Sequence, residues 1–226
     1  MLFLSYSSYR IYSINSFKSI TMKTPITLRQ ACLLVMLISG FSLAEAQQFY
    51  RLDASKSSMT VQGTSTVHDW EMNAGDMNAS FLLDVEGEEA EPIRDVSFQM
   101  PVEALESDRR IMDNKTHDAL KANRYSQIRF DFHETTGFRG ESARYSGIVT
   151  GYLHIAGKKQ QVSIPFRMTQ EGNGRMVVSG SEQIRMPDFG IDPPTAMMGT
   201  LKTGPEVTVA FSLEFVPDRS TASRNP

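Results

Sequence analysis

Cysteine is almost missing from this chain of 226 residues: the only one, Cys32, stands near the head of an apolar run in the N-terminal region. A single thiol closes no intrachain disulfide and builds no zinc–thiolate cluster, so stability has to come from an apolar core. Histidine is scarce too, at positions 68, 117, 133 and 154, and none of the four falls into an HxH or HExxH spacing. Paired metal ligands on one strand or one helix face are therefore not written in the sequence. No GxSxG elbow and no glycine-rich phosphate cradle occurs, which removes the simplest serine-hydrolase and nucleotide-binding readings. Neither charge is in large excess, with 23 basic residues against 26 acidic ones. A slightly acidic balance argues against nucleic acid and against an anionic membrane surface. Long apolar runs are lacking as well. The longest, Ala31 to Ala44, has 14 residues, short of the ~20 that span a bilayer.

That run has another logic. Lys23 and Arg29 precede it and Ala44, Glu45, Ala46 follow it, giving the basic head, apolar centre and small-x-small end of a secretory signal peptide. The expected arrangement is a start at Met22, a signal peptide over 22–46 and a mature chain from Gln47, periplasmic or secreted. Residues 1–21 then read as an overlong start. A targeting extension is the alternative for this Ser- and Tyr-rich leader, which carries Arg10 and Lys18 but no acid. Cleavage after Ala46 removes four basic residues and one acidic one, leaving 19 against 25, a net charge of −6, and no thiol. The remaining chain, about 180 residues, is enough for one core of ordinary size. That core is expected over 47–217, with a disordered tail over 218–226.

What the chain does have is alternation. Apolar residues recur at every second position in Ile128, Phe130, Phe132; in Val162, Ile164, Phe166, Met168; in Met176, Val178, Gly180; and in Val207, Val209, Phe211, Leu213, Phe215. Successive side chains of a strand point to opposite faces, so this period buries one face and wets the other, as antiparallel sheets do. Eight strands are expected, over about 58–67, 70–84, 94–101, 128–135, 144–155, 161–169, 175–186 and 206–215. Asn173-Gly174 is a hairpin signal, Ala156 to Lys159 separates two further runs, and Pro165 inside a run predicts a bulge or an edge. Glu103 to Arg124 lacks the alternation, and a short helix fits Asp113 to Ala122 with Asp113 as N-cap. Strands that neighbour each other in sequence, with one helical interruption, suggest an up-and-down barrel, whose closure removes open edges. Eight strands enclose an interior that is either filled by side chains or holds one small ligand.

Polar chemistry is thin. His68-Asp69 and His117-Asp118 invite a metal or acid–base reading, but surface or hydrogen-bonded histidines are the simpler account. Glu88, Glu89 and Glu91 read as a solvated loop. The apolar inventory weighs more, because the chain from Gln47 keeps ten Met and ten Phe. Methionine adapts to flexible apolar partners, and one small barrel has limited room for so many long inward side chains. Each of them singly reads as core, and Trp70 as core plug or cavity wall. Together they point to a wide interior.

Five motifs then follow in order. Tyr50, Arg51, Leu52, Asp53 opens the series, and Gly63, Thr64, Ser65, Thr66, Val67, His68, Asp69, Trp70 comes second. Arg110, Asp113, Leu120, Tyr125, Ile128 and Phe130 form the third; Gly151 to Gly157 with Val162 the fourth; Asp188, Phe189, Gly190, Ile191 the fifth. In this order they resemble the YceI-like family of exported lipid- and polyisoprenoid-binding proteins, over about residues 50–216. Ser126 stands where that family usually has proline, and Pro193, Pro194, Met197 and Met198 enlarge the loop after the fifth motif. The resemblance implies an all-β, eight-stranded, antiparallel, lipocalin-like barrel with one short helix between strands. It also implies a tubular cavity for a long isoprenoid or fatty chain, and no catalysis.

The candidate lipid-binding residues are Trp70, Phe81, Phe98, Met112, Leu120, Ile128, Phe130, Phe132, Leu153, Ile164, Phe166, Met186, Phe189 and Phe211, with Met112 and Leu120 of the helix closing one end. Val149, Gly151 and Leu153 read as one inward face, which makes Gly151 the position where an added ring would fill the cavity. The expected function is an exported carrier of an isoprenoid or other lipid, an isoprenoid quinone among them, with no other cofactor. A homodimer stays open. The alternatives are a secreted structural or stress-protective barrel with a filled interior and, behind it, a barrel enzyme using His68 and His154.

Overall fold

The structure, a computed structural model, describes residues 48–84, 92–196 and 200–218. Its strands form eight antiparallel staves. The first is β1 (Gln48–Leu52) continued by β2 (Ser58–Ser65), the second β3 (Trp70–Ala74) with β4 (Asn78–Leu83), the third β5 (Ile93–Pro101) with β6 (Leu105–Glu106). Single strands make the rest: β7 (Gln127–Glu141), β8 (Arg144–Ile155), β9 (Lys158–Gln170), β10 (Met176–Arg185) and β12 (Leu201–Pro217), onto which the short β11 (Thr195–Ala196) pairs. Each stave pairs with its neighbours in sequence, and β12 returns to the first: Phe215 lies opposite Met176 of β10 on one side and Leu52 of β1 on the other. The sheet is a closed up-and-down barrel in which every stave pairs with two others, the β9–β10 ladder covering only part of its strands.

The broken staves have local causes. Between β1 and β2 a 3-10 turn, Ala54–Lys56, is capped by Asp53, whose carboxylate accepts from the Ser55 hydroxyl at 2.6 Å and the Ser55 N–H at 3.2 Å. On β5, Asp95 and Val96 together oppose Phe81, with Asp95 in the left-handed region at φ 51°. This bulge bends the strand, as a curved wall requires. The strands of the sequence reading are all present, and two run further than their alternation. β7 slips register after Phe132 and again after Thr136, and β12 between Thr203 and Val207. Each β7 slip inserts one residue and moves the inward side chains to the other parity, whereas the β12 slip inserts two and leaves Leu201 and Thr203 on the parity of Val207.

Pro165 marks an edge rather than a bulge. It pairs in register with Ile148 of β8, but the β9–β10 ladder ends beside it, at Phe166 opposite Gly180. Pro165 has no N–H to donate where β10 leaves β9. The one α-helix among the described residues, α1, spans Arg110–Ala119, and Arg109, not Asp113, holds the N-cap position. Asp113 serves the preceding chain instead: its carboxylate accepts from the Ser107 N–H at 2.7 Å and the Ser107 hydroxyl at 2.6 Å. The helix is tied down at His117, whose Nε2 lies 2.9 Å from the Leu105 carbonyl, and at Thr116, whose hydroxyl points to the Met72 sulfur at 3.3 Å.

Candidate functional site

Inward side chains pack one end of the barrel. Tyr50 stacks on Phe81 at 5.0 Å, Phe81 meets Phe215 edge-on at 4.9 Å, and Met168 and Met176 are fully buried beside them. Above this floor the interior is not filled by the protein's own side chains. A cavity of about 760 Å³ runs from the floor to a mouth bordered by α1, the turn before Trp70 and the chain around Thr195 and Leu201.

Glycines explain how a barrel so rich in aromatic rings stays open. Trp70 lies against Gly63, Phe130 against Gly151, Phe166 against Gly147 and Phe211 against Gly180, so closely that a Cβ at any of these glycines would press on the ring. Each ring therefore rests on the wall of the neighbouring strand instead of projecting to the axis. The Trp70 indole N–H is used as well, donating to the Thr64 carbonyl at 3.1 Å.

The lining is built by strand parity. β7 contributes Ile128 and Phe130, β8 Val149, Leu153 and Ile155, and β9 Val162, Ile164, Phe166 and Met168. β12 adds Val207, Val209, Phe211, Leu213 and Phe215; Phe81, Phe98 and Trp70 come from the second and third staves. Met112 and Leu120 reach in from the helix region and Met186 from the turn after β10. Two of the candidate residues are placed otherwise. Phe132 packs against the core but does not line the cavity, at the point where β7 slips register and the Phe130 ring covers the adjacent Gly151. Phe189 is buried in the 3-10 turn Met186–Phe189, also outside the lining. Gly151 does face inward, but its open side is taken by Phe130 and by the Asp131 carbonyl oxygen, so it offers no room for a ring.

Polar groups on the lining are few. At the mouth stand His68, Arg109, Arg110 and Lys115, with Lys115 donating to the Thr195 carbonyl at 2.7 Å. Deeper lies Glu182 on β10, half-buried on the inward parity between Gly180 and Ile184. Burial holds its carboxyl above the usual carboxylate range. Sequence reasoning passed over Glu182, although its position inside the expected strand 175–186 already put it on the parity of Met176 and Val178.

The histidines are not assembled into a site. His154 lies between Leu153 and Ile155, both of which line the cavity, so it points outward, where its Nε2 is 2.8 Å from Asp131 Oδ2. His68 is at the mouth, its Nδ1 2.9 Å from the Asp69 carbonyl. His68 and His154 thus face different sides of the wall, and the structure does not bring this pair together on one ligand. Among the described residues no group of three or more His, Cys, Asp or Glu is placed to hold a metal ion, and no helix is long and apolar enough to cross a membrane.

Residues 50–215 match the family model described as YceI-like domain. The chain belongs to the YceI-like family. Solved structures agree on the fold. The crystal structure of Burkholderia cenocepacia BcnA superposes with a TM-score of 0.59 at 20% identity, covering 72% of this chain and 98% of its own. A polyisoprenoid binding domain from Saccharophagus degradans gives 0.59 at 14% identity, with 75% and 98% covered. The Campylobacter jejuni YCEI protein gives 0.51 at 17%, with 66% and 85% covered. Among curated proteins there is no match. The closed antiparallel barrel, with one α-helix among the described residues beside its mouth, is thus the YceI-like fold, at 14–20% identity to these three structures.

Proposed function

We propose that this YceI-like protein is a lipid carrier that holds one long-chain isoprenoid or related lipid in its barrel. The observation that supports this reading above others is the size and character of the cavity. Ligand pockets run to about 300–1,000 Å³, and the 760 Å³ here falls inside that range with a lining almost wholly apolar. A packing defect of this volume is not a reasonable account. Left empty, the cavity would keep an extended apolar wall in contact with water through the mouth, an unfavourable exposure of the kind that marks ligand-binding grooves. An apolar guest relieves that exposure, at about 0.8 kcal/mol for each methylene buried. The polyisoprenoid named for the Saccharophagus relative points the same way, and isoprenoid quinones belong to the same chemical class.

The carrier reading includes export. The basic head, 14-residue apolar run and Ala-x-Ala end over 22–46 occur together, and N-terminal sequencing of protein from periplasm or medium should begin at Gln47. It also assigns no catalysis, in keeping with the separated histidines. Purification without detergent, organic extraction and mass spectrometry test the core of it. A prenyl or acyl lipid in near-stoichiometric amount is the expected result. A clean extract from several expression hosts, with no uptake of added lipid, returns the protein to a structural barrel.

A further inference from the structure

Glu182 breaks the apolar alternation of β10 at the fourth of six inward positions, counting Met176, Val178, Gly180, Glu182, Ile184 and Met186 from the floor. Across the ladder it faces Val209, which in turn faces Val61, and both line the cavity. On its other side β9 pairs with β10 only over Phe166–Gln170, and Val162 and Ile164, which precede that ladder, line the same space. No described residue gives the Glu182 carboxylate a hydrogen bond or an ion pair. The cations on the lining, Arg109, Arg110 and Lys115, stand at the mouth, and none is bonded to it. An apolar residue there would complete the wall, and leaving a carboxyl unpartnered among apolar groups carries a desolvation cost. Such a group, held at a cost to the empty protein, is accounted for if its partner arrives with the ligand.

We infer that Glu182 is the head-group anchor of the cavity, accepting a hydrogen bond from a lipid whose uncharged head carries an O–H or N–H donor and disfavouring lipids with a phosphorylated head. The inference rests on the carrier reading above and deepens it, because it turns a general apolar tube into one that selects. A donor head reaches the carboxylate while its chain points to the floor of Tyr50, Phe81 and Phe215. A diphosphate head would put like charge beside Glu182, and such a lipid has to leave its head at the cationic mouth, with less of its chain buried.

Trp70 is the only tryptophan of the chain and lines the cavity, so its fluorescence reports occupancy. The test titrates three probes with one C20 chain into the delipidated protein: geranylgeraniol, geranylgeranyl acetate, which lacks the donor, and geranylgeranyl diphosphate. Wild type should bind the alcohol about ten-fold more tightly than the acetate, the scale of one hydrogen bond to a charged group, with the diphosphate weakest. Glu182→Val should bring the alcohol down to the acetate, leave the acetate unchanged or tighter, and melt no lower than wild type. Glu182→Gln, of the same shape, should restore the diphosphate while weakening the alcohol less than valine does. Equal binding of alcohol and acetate by wild type, or an undiminished preference in folded Glu182→Val, overturns the anchor and leaves the carrier standing. Wild type that takes up none of the three probes overturns both.

Discussion

At Gly151 a Cβ would meet the Phe130 ring and the Asp131 carbonyl oxygen. A ring can turn aside, but a backbone carbonyl in a ladder cannot, so Gly151→Phe disrupts the wall instead of filling the lumen. Even the methyl of Gly151→Ala should cost about 1–3 kcal/mol in urea denaturation, the range for overpacking. The volume-filling probe belongs at Val149, which lines the cavity on the same parity and is only partly buried. Val149→Phe is expected to keep a native melting transition and to lose bound lipid. A second residue-scale prediction concerns acid. Burial raises the Asp131 carboxyl, but the hydrogen bond and charge of Arg129, with His154 behind them, outweigh burial and hold it below the usual range. A carboxyl lowered in the folded state stabilises above the unfolded value, about 3.9, and that stabilisation is lost as pH falls through the lower folded value. Wild type should therefore melt above Asp131→Asn at pH 7, and the two curves should converge on acidification below about pH 4. A gap that widens in acid would contradict the assignment.

At the scale of elements, the strands were legible because period-two alternation is a direct consequence of a wall with one wet and one dry face. What alternation could not show was where a strand continues through a bulge. Phe132 fell outside the lining for this reason: the β7 register slips directly after it. The helix was placed three residues too late because Asp113 is a good N-cap by type, and nothing local announces that it bonds to Ser107 instead. Turn chemistry was legible where glycine marks it, at Asn173-Gly174, and illegible at Ser142-Ala143, where two non-glycine residues take φ 50° and 66° between β7 and β8. A left-handed conformation costs a residue other than glycine about 1–2 kcal/mol. Ala143→Gly, at an exposed tip, should thus raise stability by about 1 kcal/mol in chemical denaturation, with lipid content unchanged. Destabilisation there would mean that the turn is held by contacts its own strain does not reveal.

For the whole molecule, closure is the property that no single segment encodes. β1 is five residues long and shows little alternation of its own, yet it sits between β4 and β12 and completes the ring; only the family resemblance pointed to it. Its buried centre, Tyr50, stacks on Phe81 at the floor, so closure and the cavity's sealed end depend on the same side chains. The cavity could be suspected from the ten Met and ten Phe that follow Gln47, but its openness depends on glycines lying opposite rings across the sheet, which a linear reading does not pair. Tyr50→Ala removes a large buried ring from the seam, and such truncations cost about 3–5 kcal/mol, a sizeable part of a domain's total. Lipid should accordingly leave this variant together with the fold: bound lipid and the circular dichroism signal are expected to fall at the same denaturant concentration. Val149→Phe should do the reverse, emptying the cavity in a barrel that still melts cooperatively. If Tyr50→Ala instead loses its lipid while its barrel stays intact, the floor acts as a gate rather than a seal, and ligand reaches the lumen from the end opposite the helix.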